Sequence, residues 1–145
     1  MNKQKIILAI LRYCMGFIFL WAFLDKVFGL GFATTSEKAW INGGSPTTGF
    51  LSKAVKGPFA DFFHSLAGYA VVVWLFMLGL LFVGFTLLLF KYVKWGSFVG
   101  CAMFLLMYLA LMLPENNPVI DDHLVYIFVL LLVAFDSSKT QTNSV

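Results

Sequence analysis

Four stretches of the chain read as apolar helices, separated by segments where polar residues, glycine and proline concentrate. The first covers 6–26, after a basic start at Lys3 and Lys5; the second covers 69–90; the third covers 96–113 and is ended by Pro114; the fourth is 117–135. Each approaches the roughly 20 residues, or about 30 Å, that cross a bilayer. The fourth does so only on one condition. Its uninterrupted apolar part, 124–135, is about 12 residues or roughly 18 Å of helix, and Asp136-Ser137-Ser138-Lys139 closes it off. A spanning fourth helix must therefore run back through His123, Asp122 and Asp121 to about Asn116. That places ionisable groups in the outer third of a membrane, where they are costly and commonly functional.

The same pattern has a simpler explanation at helix ends. Asn117 suits a cap, Pro118 suits the first helical position, and acidic residues in a first turn complement the helix dipole. This accounts for Asp121 and partly for Asp122, but not for His123. In the first helix, Arg12, Gly16, Phe19, Phe23 and Lys26 recur at helical spacing, which suggests a face turned to protein rather than lipid. The equally simple alternative is that Arg12 snorkels to the inner headgroups and Lys26 to the outer ones. Asp25 beside Lys26 reads as a functional or structural ion pair, because a carboxylate gains nothing by reaching for anionic headgroups. No small-x-small cleavage site follows this helix, so it reads as retained rather than as a signal peptide. Gly79 and Gly84 in the second span, and Gly96, Ser97 and Gly100 in the third, predict close helix contacts.

Between Gly29 and Ala67 lies a loop of about 39 residues, too long for a mere connector. At its centre stand Trp40-Ile41-Asn42-Gly43-Gly44-Ser45-Pro46-Thr47. Successive backbone N–H groups from Asn42 to Ser45 can form a concave nest for a small anion, with Lys38, Lys53 and Lys56 nearby; an ordinary turn is the plainer alternative. Pro58 to His64 predicts a short amphipathic helix at the membrane interface, with His64 at headgroup level.

Composition fixes the class. Of 145 residues, 61% are hydrophobic, 18% aromatic and only 12% charged, and the mean hydropathy is +0.89. A soluble domain of this size lacks the polar residues to cover such a core, which predicts an all-α integral membrane four-helix bundle. It forms a single domain over 1–145, with a long outer loop that contains an interfacial helix. The net charge of +3 matters less than its placement. Lys3, Lys5, Lys91, Lys94 and Lys139 sit at the termini and middle loop, whereas the third loop carries Glu115 and no basic residue. The positive-inside rule then predicts a multi-pass protein of the inner (plasma) membrane with both termini cytoplasmic. Cys14 and Cys101 lie in apolar runs and form no metal-ligand or redox spacing, and nothing in the charge pattern suggests a nucleic-acid partner.

In that orientation the long loop, Asp25-Lys26 and Asp121-Asp122-His123 converge on the outer face. Carboxylates and a histidine beside an aromatic groove can exchange protons while a lipophilic redox partner exchanges electrons. Asp25, Asp122 and His123 are the candidate proton-handling residues. Lys26, Trp40, Asn42, Gly43, Gly44 and Ser45 are candidates for binding an anionic substrate. Trp21, Phe23 and Tyr126 are candidates for a quinone groove. Tyr108 in the third span is within reach of the acidic cluster, but a core or interfacial tyrosine is the plainer reading. One histidine in a span excludes a bis-histidine haem, so quinone is the expected electron acceptor, with no protein-bound haem or metal.

These residues form recognisable blocks: Arg12-x3-Gly16, Phe19-Leu20-Trp21-Ala22-Phe23-Leu24-Asp25-Lys26, Ala39 to Thr47, Trp74-Leu75-Phe76-Met77-Leu78-Gly79 and Asn117-Pro118-x2-Asp121-Asp122-His123. Together they resemble the DoxX/DoxD family of small four-helix membrane proteins, and especially the DoxD-like large subunit of thiosulfate:quinone oxidoreductase. The resemblance implies oxidation of thiosulfate to tetrathionate, electrons passed to quinone, and a DoxA-like small subunit as partner. Two other readings stand beside it. One is a non-enzymatic membrane anchor or assembly partner for a soluble redox protein. The other, a small-anion transporter, is weaker, because four helices without an internal repeat offer no alternating-access machinery. The glycine-bearing faces also suit a homodimer.

Overall fold

The computed structural model describes residues 3–114 and 117–142, with side chains as far as residue 137. Glu115 and Asn116, and the side chain of Lys139, lie outside the described residues. Six α-helices follow one another: α1 (Lys3–Phe28), α2 (Thr48–Lys53), α3 (Ala60–Ser65), α4 (Ala70–Leu88), α5 (Val93–Ala110) and α6 (Asp122–Thr142), with two 3-10 turns at Ser36–Lys38 and Trp40–Asn42. No strand occurs among the described residues. Among the described residues three helices, α1, α4 and α5, are long and apolar enough to cross a membrane. Large apolar side chains on their outer faces, among them Ile10, Phe17, Leu75, Leu78, Phe85 and Leu105, are exposed. Exposed apolar residues at this density have no place in water, and this is a membrane protein.

The four long helices pack in a ring: α1 against α4 and α6, α5 against α4 and α6. Small residues set the close approaches. A side chain at Gly16 would meet Leu87 and Leu88, one at Gly84 would meet Leu20, and one at Gly96 would run into Thr86. The expected α1 stripe is largely interior, with Arg12, Gly16 and Phe19 buried and Phe23 and Lys26 half-buried. Arg12 is only 5% exposed. Its guanidinium donates to the Leu87 carbonyl at 2.9 Å and lies over the rings of Tyr13 and Phe90. It thus satisfies an orphan acceptor at the C-terminal end of α4 and fixes α1 antiparallel to it.

At the opposite end the long loop folds into a cap. Leu51 and Val55 pack with Phe63 and Ala110 in a second small core, and the Lys56 N–H donates to the Ala110 carbonyl at the end of α5. His64 joins α3 to the end of α2 through Nδ1 and the Leu51 carbonyl, 2.6 Å apart.

Two expectations about α6 need correction. It does not reach back to 117: the Asn117 side chain accepts the Val119 and Ile120 N–H groups, so these residues form a turn. The side chain of Asp121, not Asn117, takes the first-turn Leu124 N–H at 3.2 Å. The helix also continues past Phe135 through the polar residues to Thr142, since helix formation does not require an apolar side chain.

Candidate functional site

The loop between α1 and α2 is shaped by hydrogen bonds that use its own backbone. The Asn42 and Gly44 N–H groups both donate to the Ala39 carbonyl, and the Gly43 N–H donates to that of Trp40. Gly43 has φ +86°, and a side chain at Gly44 would run into the Lys38 carbonyl, so both glycines are dictated by backbone geometry. The Asn42 amide reaches back to the Ser36 carbonyl at 2.7 Å. Ser45 Oγ accepts from the Thr48 N–H and hydroxyl and starts α2. The three N–H groups from Asn42 to Gly44, expected to face an anion, are therefore engaged within the turn. Trp40 meets Trp74 edge-on, with centroids 4.7 Å apart, and pins the turn to α4.

Asp25 is 2% exposed. Its two carboxylate oxygens accept the N–H groups of Phe32 (3.2 Å) and Ala33 (3.0 Å), folding the chain back where α1 ends. Those bonds occupy the Asp25 carboxylate, which acts on the neighbouring Lys26 through its charge.

Lys26 lines a cavity of about 400 Å³, walled by α4 (Val72, Leu75, Phe76), α5 (Met103, Leu106, Met107) and the loop cap (Phe50, Phe62, Phe63). Thr47 is the other polar side chain there. It is 6% exposed, and its Oγ1, like Ser97 Oγ in α5, has no hydrogen-bond partner among the described residues. A buried hydroxyl without a partner costs free energy and is rare in a folded protein.

A second cleft, about 270 Å³, opens at the head of α6 and is lined by Pro114, Asn117, Ile120, Asp121, Asp122, His123 and Val125. His123 Nδ1 lies 2.6 Å from Asp121 Oδ2, and the same carboxylate caps α6 through Oδ1. Asp122 is exposed. The pair in contact is therefore Asp121–His123. Spacing could have revealed it: a capping aspartate and a residue two positions on share the first turn. On its inner side, His123 packs against Phe104, which touches Tyr126 and Phe19. Tyr108 donates to the Val119 carbonyl at 2.8 Å, fixing the turn that leads into the cleft.

The three residues expected to form a quinone groove are divided. Phe23 and Tyr126 pack on the main core, whereas Trp21 stacks on Phe17 and meets Phe32 edge-on. Trp21 and Phe23, two positions apart, fall on nearly opposite sides of α1. Among the described residues, no cluster of three or more His, Cys, Asp or Glu comes together to hold a metal ion. Comparisons with family models, with characterised proteins and with solved structures find no match to this chain.

Proposed function

We propose that this chain is a four-span membrane protein of the DoxX/DoxD type, the quinone-reducing subunit of an oxidoreductase that takes electrons from thiosulfate at the outer face of the plasma membrane. The outward face of α6 supports the fourth span: Val125, Phe128, Leu132 and Phe135 are exposed and apolar, as on the other three helices. Lys91 and Lys94 lie at the Arg12 end, which supports cytoplasmic termini. α3 lies at the interface, with Phe63 turned into the cap and Phe59 and Phe62 outward.

The observation that carries the functional reading is the Asp121–His123 pair. It faces a polar cleft on one side and the aromatic interior of Phe104 and Tyr126 on the other. Two thiosulfate ions join through a new S–S bond to give tetrathionate and release two electrons. A quinone takes up those electrons with two protons to become the quinol. His123, oriented by Asp121, relays the protons, and exposed Asp122 exchanges them with water.

The test is quinone reduction and tetrathionate formation by purified protein in liposomes, given thiosulfate and a soluble quinone. His123→Ala is expected to lower the rate by about 10²-fold while the protein stays folded. No quinone reduction, with or without a co-purifying DoxA-like small subunit, would overturn the proposal. It would favour a membrane anchor for a soluble redox protein, a reading supported by the internal use of Asp25 and of the Asn42–Gly44 donors in holding the loop.

A further inference from the structure

The cavity beneath the loop cap is apolar around nearly its whole wall, and its two polar side chains both offer protons: the Lys26 amine and the Thr47 hydroxyl. Thr47 is buried with Oγ1 unpartnered. The fold tolerates that cost although threonine has an isosteric apolar counterpart in valine. A lipophilic molecule with a hydrogen-bond-accepting head fits this arrangement. It would fill the apolar volume, satisfy the orphan hydroxyl and accept from the amine.

The charge balance narrows the class. Asp25, next to Lys26 in sequence, is itself buried. Its oxygens are bonded to neutral backbone N–H groups, so it offsets the Lys26 charge locally. A second carboxylate in this low-dielectric site would be left uncompensated, whereas a neutral carbonyl leaves the balance intact.

We propose that this cavity binds the head of a quinone, with Lys26 and Thr47 donating to one carbonyl oxygen and Phe76 and Met107 against the ring. The assignment rests on the quinone-linked reading above, but it concerns binding and can fail independently. The probe is a short-tailed benzoquinone carrying a photoreactive azide, added to the full-length protein in nanodiscs and followed by peptide mapping and equilibrium binding.

Crosslinks are expected in the α4 segment around Leu75 and the α5 segment around Met107. Thr47→Val is expected to weaken binding about 5- to 10-fold, and Lys26→Met to weaken it more, with thermal stability unchanged or higher. Leu106→Trp, which enlarges a side chain of the cavity wall and leaves Lys26 and Thr47 in place, is expected to block crosslinking. Crosslinks confined to Trp21 or Tyr126, or quinone affinity unaffected by Thr47→Val and Lys26→Met, would overturn the assignment even if turnover is observed. Displacement of the quinone by an equimolar long-chain fatty acid would overturn it in favour of a carboxylate amphiphile. Binding with the expected mutational pattern but no turnover would support the site and remove the oxidoreductase.

Discussion

The two recesses at the loop end of the helices handle polar groups in opposite ways. At the head of α6, Asp121 and His123 satisfy each other, and the carboxylate also caps the helix. In the cavity beneath the cap, Thr47 has no partner and Lys26 faces an apolar wall. The first site is complete in itself and suits proton exchange with water through a polar cleft. The second holds a buried hydroxyl with a hydrogen bond still to give, at the wall of an apolar cavity where a bound molecule can take it. Polarity alone would have ranked the α6 cleft as the binding site. Satisfaction of hydrogen bonds ranks them the other way.

The comparison depends on the loop that delivers Thr47, so the largest effects are expected where that loop is tied down. Asp25→Ala removes the acceptor of two N–H groups at a position 2% exposed. A loss of about 3 kcal/mol in unfolding free energy is expected, read by denaturant titration in detergent micelles. Asp25→Asn keeps one acceptor oxygen and is expected to lose about half as much. If Asp25 were a proton carrier instead, stability would barely change while quinone reduction fell. Gly44→Ala places a methyl against the Lys38 carbonyl; a loss of about 2 kcal/mol is expected, with faster proteolysis between residues 30 and 50.

What the sequence made legible follows from periodicity. The apolar runs locate α1, α4 and α5, and the helical spacing of Arg12, Gly16 and Phe19 identifies the face that is buried. Interactions within a few residues were harder to read. The Asn42–Gly44 N–H groups looked available because composition does not reveal which carbonyls a turn will bring within reach. Trp21 and Phe23 are both aromatic and both near the outer end of α1, but two residues turn a helix side chain by about 200°, so one groove does not take both. Thr47 carries no signal in the sequence for a different reason. An orphan hydroxyl exists only once α2, α3, α4 and α5 close around it, and no local pattern announces that.

At the α6 cleft the expected effects are smaller. Asp121→Ala removes both the helix cap and the partner of His123, and a loss of about 1 to 2 kcal/mol is expected. Asp121→Ser retains a capping oxygen but cannot reach the imidazole in the same way. It is expected to recover most of the stability while leaving quinone reduction low. Recovery of both would make Asp121 a cap and nothing more, and the difference between the two recesses would then lie in stability rather than chemistry.

The smallest effect has the opposite sign, and it is the sharpest test of the comparison. Replacing Thr47 by valine keeps the shape and exchanges an unpaired hydroxyl for a methyl group. In the ligand-free protein this is expected to raise stability by about 1 kcal/mol, measured by the same denaturant titration. Adding the quinone should stabilise the unmodified protein more than the variant, because a ligand that binds only the folded state shifts unfolding in proportion to its affinity. The two curves therefore converge or cross as quinone is added. A hydroxyl whose role is structural would instead make Thr47→Val destabilising at every ligand concentration.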